Sequence, residues 1–294
     1  RWPEVTIKMN SSKTNKKWKE RLHECTHNAN FMIGFIIVIS VILVAVFAEQ
    51  IAPYHFTDQK TGGSLEAPSA AHIFGCDELG RDMFSRIVYG SRIALWVAFL
   101  GGSLQLVIGV IVGLACGFFG KWVDRVLTFM TDLTWCIPGT ILALAVVTII
   151  GTGLTNTVIA ISLVAWASYA RIVRAKTMSL RNMAFVETGK AFGESNLSLM
   201  IRYILPNVIP SLLVMVSLNL PGTILSTTTL SFLGLGSQPP SPDWGLAISL
   251  GLDFIQRAPW MTIWPGVALV YVTFGFNLLG EGLRDLIDPH MKTQ

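Results

Sequence analysis

Long apolar runs and shorter polar stretches alternate along this chain. Six apolar runs stand out, near residues 31–50, 92–119, 126–150, 157–175, 208–230 and 262–280. Each approaches or exceeds the ~20 residues that an α-helix needs to cross ~30 Å of hydrocarbon. The period-two alternation of a membrane barrel is absent, and backbone inside lipid must satisfy its own hydrogen bonds, so the runs predict helices. The pattern gives an all-α integral membrane protein with six transmembrane helices. Residues 1–30 form a polar tail before the first helix at 31–50, and 51–91 form a loop. Residues 92–283 form the remaining transmembrane core, with a polar insert at 177–206 and a second loop at 231–260. Residues 284–294 form a second tail.

Composition supports this reading. The 294 residues are 52% hydrophobic and 14% charged, with mean hydropathy +0.56, against about 25% charged in soluble domains. The net charge of +4 matters less than its placement. Seventeen of the 22 Lys and Arg residues fall before the first run, at Lys121 and Arg125, between Arg171 and Arg202, or after the last run. The positive-inside bias makes that side cytoplasmic. Both termini and the 177–206 insert are then cytoplasmic, and the 51–91 and 231–260 loops face outward. The polar leader before the first run is too long for a typical signal peptide, although Val46-Phe47-Ala48 resembles a cleavage site. Of Cys25, Cys76, Cys116 and Cys136, only Cys76 falls on the outer side, so no intrachain disulfide is expected.

Within the runs, three features break the apolar monotony. Gly109, Gly113 and Gly117 form a stripe at intervals of four, where another backbone can approach, within this subunit or at a subunit interface. The fifth run holds Pro221-Gly222, where a kink is expected. It also carries Ser217, Asn219, Thr223, Ser226, Thr227 and Thr228, which either line a wet path or bond helix carbonyls and neighbours. Asp132 lies near a cytoplasmic helix end, where it is solvated or paired.

The insert reads as helix, glycine break, helix. Leu180–Phe192 is helix-forming, with Ala184, Phe185, Thr188, Ala191 and Phe192 near one face. Gly193 breaks the run, and Ser195 or Asn196 can cap a second short helix over Leu197–Leu205, ended by Pro206. Such a segment lies on lipid, packs on its own subunit, or docks into a partner's groove.

Catalytic chemistry is sparse. His23-Glu24-Cys25-Thr26-His27 matches H-E-x-x-H, which on a helix can hold zinc for a membrane metalloprotease. It lies in the polar tail rather than in a span, and no third ligand is evident. No phosphate-cradling loop of the G-x-x-x-x-G-K-[ST] type occurs, so any ATP must be hydrolysed by another polypeptide. A secondary carrier would want ion-coupling carboxylates in the spans, and these are lacking. Nothing beyond the basic tail suggests nucleic-acid binding, and no metal site or resident cofactor is expected.

Specific motifs then point to a family. Glu187-Thr188-Gly189, then Gly193, then Leu205-Pro206 resembles the EAA loop of ABC importer permeases: E-A-A, three residues, G, nine residues, I-x-L-P. Thr188 and Gly189 stand where that pattern has alanines, and Tyr203 where it has isoleucine. Gly75-Cys76-Asp77-Glu78-Leu79-Gly80-Arg81-Asp82, followed by Phe84-Ser85-Arg86, resembles the GTDxxGRDxxSR segment of the C-type subunit in the dipeptide, oligopeptide and nickel permease family, with Cys76 in place of Thr. Ser231 to Gly236, Gln238-Pro239-Pro240 and Asp243-Trp244-Gly245 resemble its SFLGLGxQPPxPxWG loop. Gly282-Leu283-Arg284-Asp285 and Asp288-Pro289 match its ending.

The resemblance implies a type I ABC importer (MetI-like) permease fold in the inner membrane. It implies a homologous B-type permease subunit, two ATPase subunits that bind ATP and Mg, and an external substrate-binding protein. Phe185, Glu187, Thr188, Gly189, Ala191, Phe192, Gly193, Ser195, Leu205 and Pro206 would couple to an ATPase. Ser217, Asn219, Thr223, Ser226 and Thr227 are candidates for the translocation path. Asp77, Arg81, Asp82 and Trp244 would either contact the binding protein or cap and pack the outer loops. The substrates implied are dipeptides or oligopeptides, with nickel or metal chelates as the alternative.

Overall fold

The computed structural model describes residues 26–287. The H-E-x-x-H motif, apart from Thr26 and His27, and the ends of both tails lie outside those residues. Helix α1 spans Ala29–Val46, with a one-turn continuation at Ala48–Ile51. It is followed by α2 at Met83–Phe119, α3 at Lys121–Cys136, α4 at Gly139–Ile150 and α5 at Leu154–Leu180. Next come α6 at Ala184–Ala191, α7 at Leu205–Phe232, α8 at Trp244–Leu252 and α9 at Trp260–Ile287. Five helices among the described residues are long and apolar enough to cross a membrane; counting a bent pair as one span makes six.

Three sequence expectations change. Helix α2 starts at Met83, inside the stretch expected to be loop, because Asp82 caps it by accepting from Ser85 N. The expected continuous helix at 126–150 is broken into α3 and α4, which meet at 96°. Pro138 has no N–H to continue α3 and drives Ile137 into extended backbone (φ −103°, ψ 133°). At 12 residues, α4 is about 18 Å long, too short to span alone. Finally, Pro206 does not end a short helix. A π-helical turn at Leu199–Ile204 carries the chain straight into α7, with Leu205 N–H reaching back to Met200 O. The wider turn seats a proline that has no N–H to give. Pro210 and Pro221 likewise sit inside α7.

Small residues set the helix packing. Gly109, Gly113 and Gly117 of α2 face Tyr169, Val173 and Thr177 of α5, rung for rung. A Cβ on any of the three would run into the opposing residue, so the stripe serves packing within this subunit. A second seam joins α1 to α9, where Gly34 approaches the backbone at Leu278 and Leu279, Gly275 meets Ile37, and Gly282 meets Phe31. Lipid offers helices little hydrophobic reason to associate, so close backbone approach supplies the attraction. The α2–α5 seam generates a test. Gly113→Val should force the helices apart and cost about 1–3 kcal/mol, seen as a lower midpoint of thermal unfolding in detergent. Gly266→Ala, in open space inside α9, should not lower the midpoint and should raise it slightly, since alanine suits a helix interior better than glycine.

Candidate coupling site

The polar insert is a short helix clamped by the long ones on either side. Helix α5 ends where Arg181 N bonds to Thr177 O, and Arg181 Nη1 donates to Gly117 O at 3.0 Å. Helix α6 follows after one tight turn. Its inward face is Val186, fully buried, and Gly189. Val186 joins one cluster with Leu114 of α2, Tyr169 and Val173 of α5, Leu199 and Ile204 of the π turn, and Val208, Leu212 and Met215 of α7. Displacing α6 therefore displaces apolar side chains shared by three long helices.

The outward face is apolar yet uncovered. Phe185, Glu187, Thr188 and Ala191 are exposed, and Phe192 is 83% exposed. Met183, Leu197 and Ile201, before and after α6 in the chain, are exposed as well. Large uncovered apolar patches mark interaction sites. The face predicted from Ala184, Phe185, Thr188, Ala191 and Phe192 is the one left outward.

Helix α6 ends in a Schellman arrangement. Gly193 N bonds to Lys190 O at 3.0 Å and Glu194 N to Gly189 O at 3.1 Å, with Gly193 at φ +77°. Nothing lies within 4 Å of a Cβ built on Gly193, so backbone conformation rather than space requires glycine there. Ser195 caps the next turn by accepting from Ser198 N at 3.3 Å. Leu205 and Pro206 open α7.

Two departures from the EAA pattern acquire a physical reason. A Cβ on Gly189 would lie 2.7 Å from Leu199 Cδ2 and 3.6 Å from the Tyr203 ring. Leu199 is fully buried, so making room for that Cβ would require repacking around it. Tyr203 Oη donates to Glu194 Oε1 at 2.6 Å, and Ser198 Oγ donates to the other oxygen. Hydrogen bonds from Ser198 and then Tyr203 hold the Glu194 carboxyl below its usual range. Tyr203 thus ties the turn after α6 to the start of α7. The sequence reading missed Val186, Leu199 and this Glu194 pair. The spacing of Val186 and Gly189 on one helical face was the available signal.

In α7, Ser217, Asn219, Thr223 and Thr227 donate to carbonyls four residues back: Leu213, Met215, Asn219 and Thr223. Thr223 and Thr227 are buried, while Ser217, Asn219 and Ser226 are half-buried. Gln105 of α2 donates to Thr223 Oγ1 at 3.1 Å. As a lone amide in an apolar run, Gln105 was legible as a residue needing a partner. Asp132 is paired with Arg171 at 3.1 Å, and among the described residues no second carboxylate or imidazole is bonded to it.

The loops at 52–82 and 233–259 form a cap over the start of α2. Asp77, Arg81, Asp82 and Trp244 are 2–5% exposed, so capping and packing occupy them. Arg81 Nε donates to Asp77 at 2.6 Å. Arg86 donates to Phe56 O, Pro240 O and Ser241 O, joining the two loops. Trp244 Nε1 donates to Ile87 O at 3.2 Å. Asp243 caps α8, and burial pushes its carboxyl up from the ordinary range. Burial, followed by Glu66, Asp82 and Asp77 nearby, pushes the Cys76 thiol up to about 12.

Residues 106–293 match the model of the binding-protein-dependent transport system inner membrane component. The chain belongs to this permease family. Residues 17–68 of the permease also match the N-terminal transmembrane domain of oligopeptide transport permease C. The permease is 39% identical over 276 residues to the dipeptide transport system permease protein DppC of Alkalihalophilus pseudofirmus, covering 94% of this chain and 91% of the relative. It is 36% identical over 277 residues to the glutathione transport system permease protein GsiD of Pectobacterium atrosepticum, covering 94% and 92%. In fold it is similar to a chain of the inward-facing MetNI methionine ABC transporter, with TM-score 0.55, 20% identity, and coverage of 69% of this permease and 97% of that chain. The permease is therefore a multi-pass inner-membrane component of an ABC importer, and its relatives are transport permeases rather than enzymes.

The α6 terminus carries a test of its own. Gly193→Ala should cost about 1–2 kcal/mol, the price of holding an L-residue left-handed. Limited proteolysis at 183–198 should accelerate, while cleavage in the loops at 52–82 and 233–259 stays unchanged.

Proposed function

We propose that α6 is the part of this permease that seats in a cleft of a partner ATPase and passes ATP-driven motion to the spans. The observation that carries this is the asymmetry of α6. Phe185, Thr188, Ala191 and Phe192 stand uncovered, while Val186 on the opposite side is locked into the cluster of α2, α5 and α7. A helix with one face free and the other wedged among three spans is built to transmit displacement. ATP and Mg bind to the ATPase pair, and a homologous B-type permease completes the pathway. Positive-inside charge placement puts α6 and both termini in the cytoplasm. An external binding protein delivers cargo to the opposite face, where the capped loops lie. Ser217, Asn219 and Ser226, half-buried on α7, offer polar groups toward the pathway formed with the second permease, while Gln105 and Thr223 are buried against each other.

The cargo we favour is a short peptide, a class that includes glutathione. Relatives transporting dipeptides and glutathione at 39% and 36% identity support it. Nickel or a metal chelate is the competing cargo.

Glu187→Ala and Phe192→Asp in the assembled transporter test the coupling role. Each should weaken ATPase association by about 2 kcal/mol, roughly 30-fold in Kd, with insertion unchanged. ATPase co-purification and peptide uptake should fall together. Unchanged co-purification and uptake would overturn the reading, and uptake of nickel but not of peptide would overturn the cargo.

A further inference from the structure

The outer cap brings three unlike donor atoms together. A carboxylate oxygen of Glu66, an imidazole nitrogen of His72 and the Cys76 thiol all lie within 4.8 Å of one another. The chain is pinned there by backbone bonds: Cys76 N to Glu66 O at 2.9 Å, Gly75 N to His72 O at 2.9 Å, and Leu65 N to Asp77 O at 3.0 Å. His72 Nδ1 pairs with Asp82 Oδ1 at 2.9 Å, and with Nδ1–H donating there Nε2 is the bare inward nitrogen, whose 3.2 Å approach to Thr61 O an ion on Nε2 would displace. A Cβ built on Gly62 would lie 2.7 Å from Cys76 Sγ, 2.7 Å from His72 Nε2 and 2.9 Å from Glu66 Oε2. The three donors thus converge on one point, and glycine at 62 keeps that space free of a side chain. An ion would sit on the side of this point away from Gly62 Cα, with the donors drawn inward.

We propose that Glu66, His72 and Cys76 form a binding site for a zinc-class divalent cation, which clips the outer cap to the start of α2. Sulfur, imidazole and carboxylate donors suit zinc, whereas magnesium and calcium want oxygen alone. Three protein donors leave one tetrahedral position for water. The His72–Asp82 pair is the carboxylate–histidine arrangement that orients a ligating ring. Asp82 also caps α2 through Ser85 N and accepts from Ser85 Oγ, both at 2.7 Å. An ion on His72 is thereby connected to the end of a span. Binding exchanges the Cys76 S–H bond for a sulfur–metal bond and releases one proton to solvent. Thiolate and carboxylate together balance the charge of the ion. Cys76 stands where the resembled segment has Thr, so the site is a property of this chain rather than of that pattern. The inference does not depend on what the transporter carries.

The test uses the full chain in detergent, stripped with chelator and then given zinc or cobalt alone. Wild type should retain one zinc per chain and unfold at a higher temperature with zinc than without. Cobalt should produce a thiolate charge-transfer band. Cys76→Thr, close in size and matching the resembled segment, should lose the band and the zinc-dependent shift, with affinity down at least about 100-fold. Cys136→Ser removes the exposed thiol and should keep both. Should Cys76→Thr fail to fold, Glu66→Gln at a half-exposed position supplies the second reading, with weaker zinc binding expected. Equal zinc binding by wild type and Cys76→Thr or Glu66→Gln, or the absence of a thiolate band with cobalt, would overturn the proposal.

Discussion

Backbone inside hydrocarbon has no water to bond with, and the whole architecture answers to that constraint. Every crossing segment must be helical. Helices in lipid then attract one another mainly through close contact. The α2–α5 seam shows how the chain meets this demand. Three glycines at intervals of four lie against Tyr169, Val173 and Thr177 at the same interval, so the two helices share one long line of contact. The α1–α9 seam repeats the device with Gly34, Gly275 and Gly282.

Rigid seams make the coupling reading mechanically sensible. Helix α5 runs directly toward α6, and the π turn after α6 runs directly into α7. Val186 and Leu199 sit between them in a cluster that reaches Leu114 and Val208. Side chains packed this tightly cannot yield independently, so on the proposed reading motion at α6 would be shared by α2, α5 and α7. The Schellman end at Gly193 and the Glu194–Tyr203 hydrogen bond hold the turn that would otherwise absorb the movement.

Polar groups in the loops before α2 and after α7 serve a different end. Asp77, Arg81, Asp82 and Arg86 are buried with their charges paired or capping helices, which limits the cost of desolvation. They fold two loops far apart in sequence into one cap over the start of α2. The convergence of Glu66, His72 and Cys76 depends on that cap.

Much of this was legible along the chain. Apolar run length settles that the segments are helices, because lipid permits little else. The EAA spacing located α6 and Gly193, since a left-handed helix end strongly favours glycine. The stripe at Gly109, Gly113 and Gly117 announced a close contact without naming its partner. Other features depended on tertiary structure. Hydropathy reads composition rather than direction, so the 96° break at Pro138 was invisible to it, as was the start of α2 at Met83 among polar neighbours. Pro206 looked like a terminator because proline usually is one; the π turn that seats it is stabilised by buried Leu199 and Ile204. Whether Asp77, Arg81, Asp82 and Trp244 face solvent or the interior is decided by loops folding onto one another. Residues 62, 66, 72, 76 and 82 converge because backbone bonds within the loop, Cys76 N to Glu66 O and Leu65 N to Asp77 O among them, fold it back on itself, and Trp260 on Cys76 O ties that fold to α9.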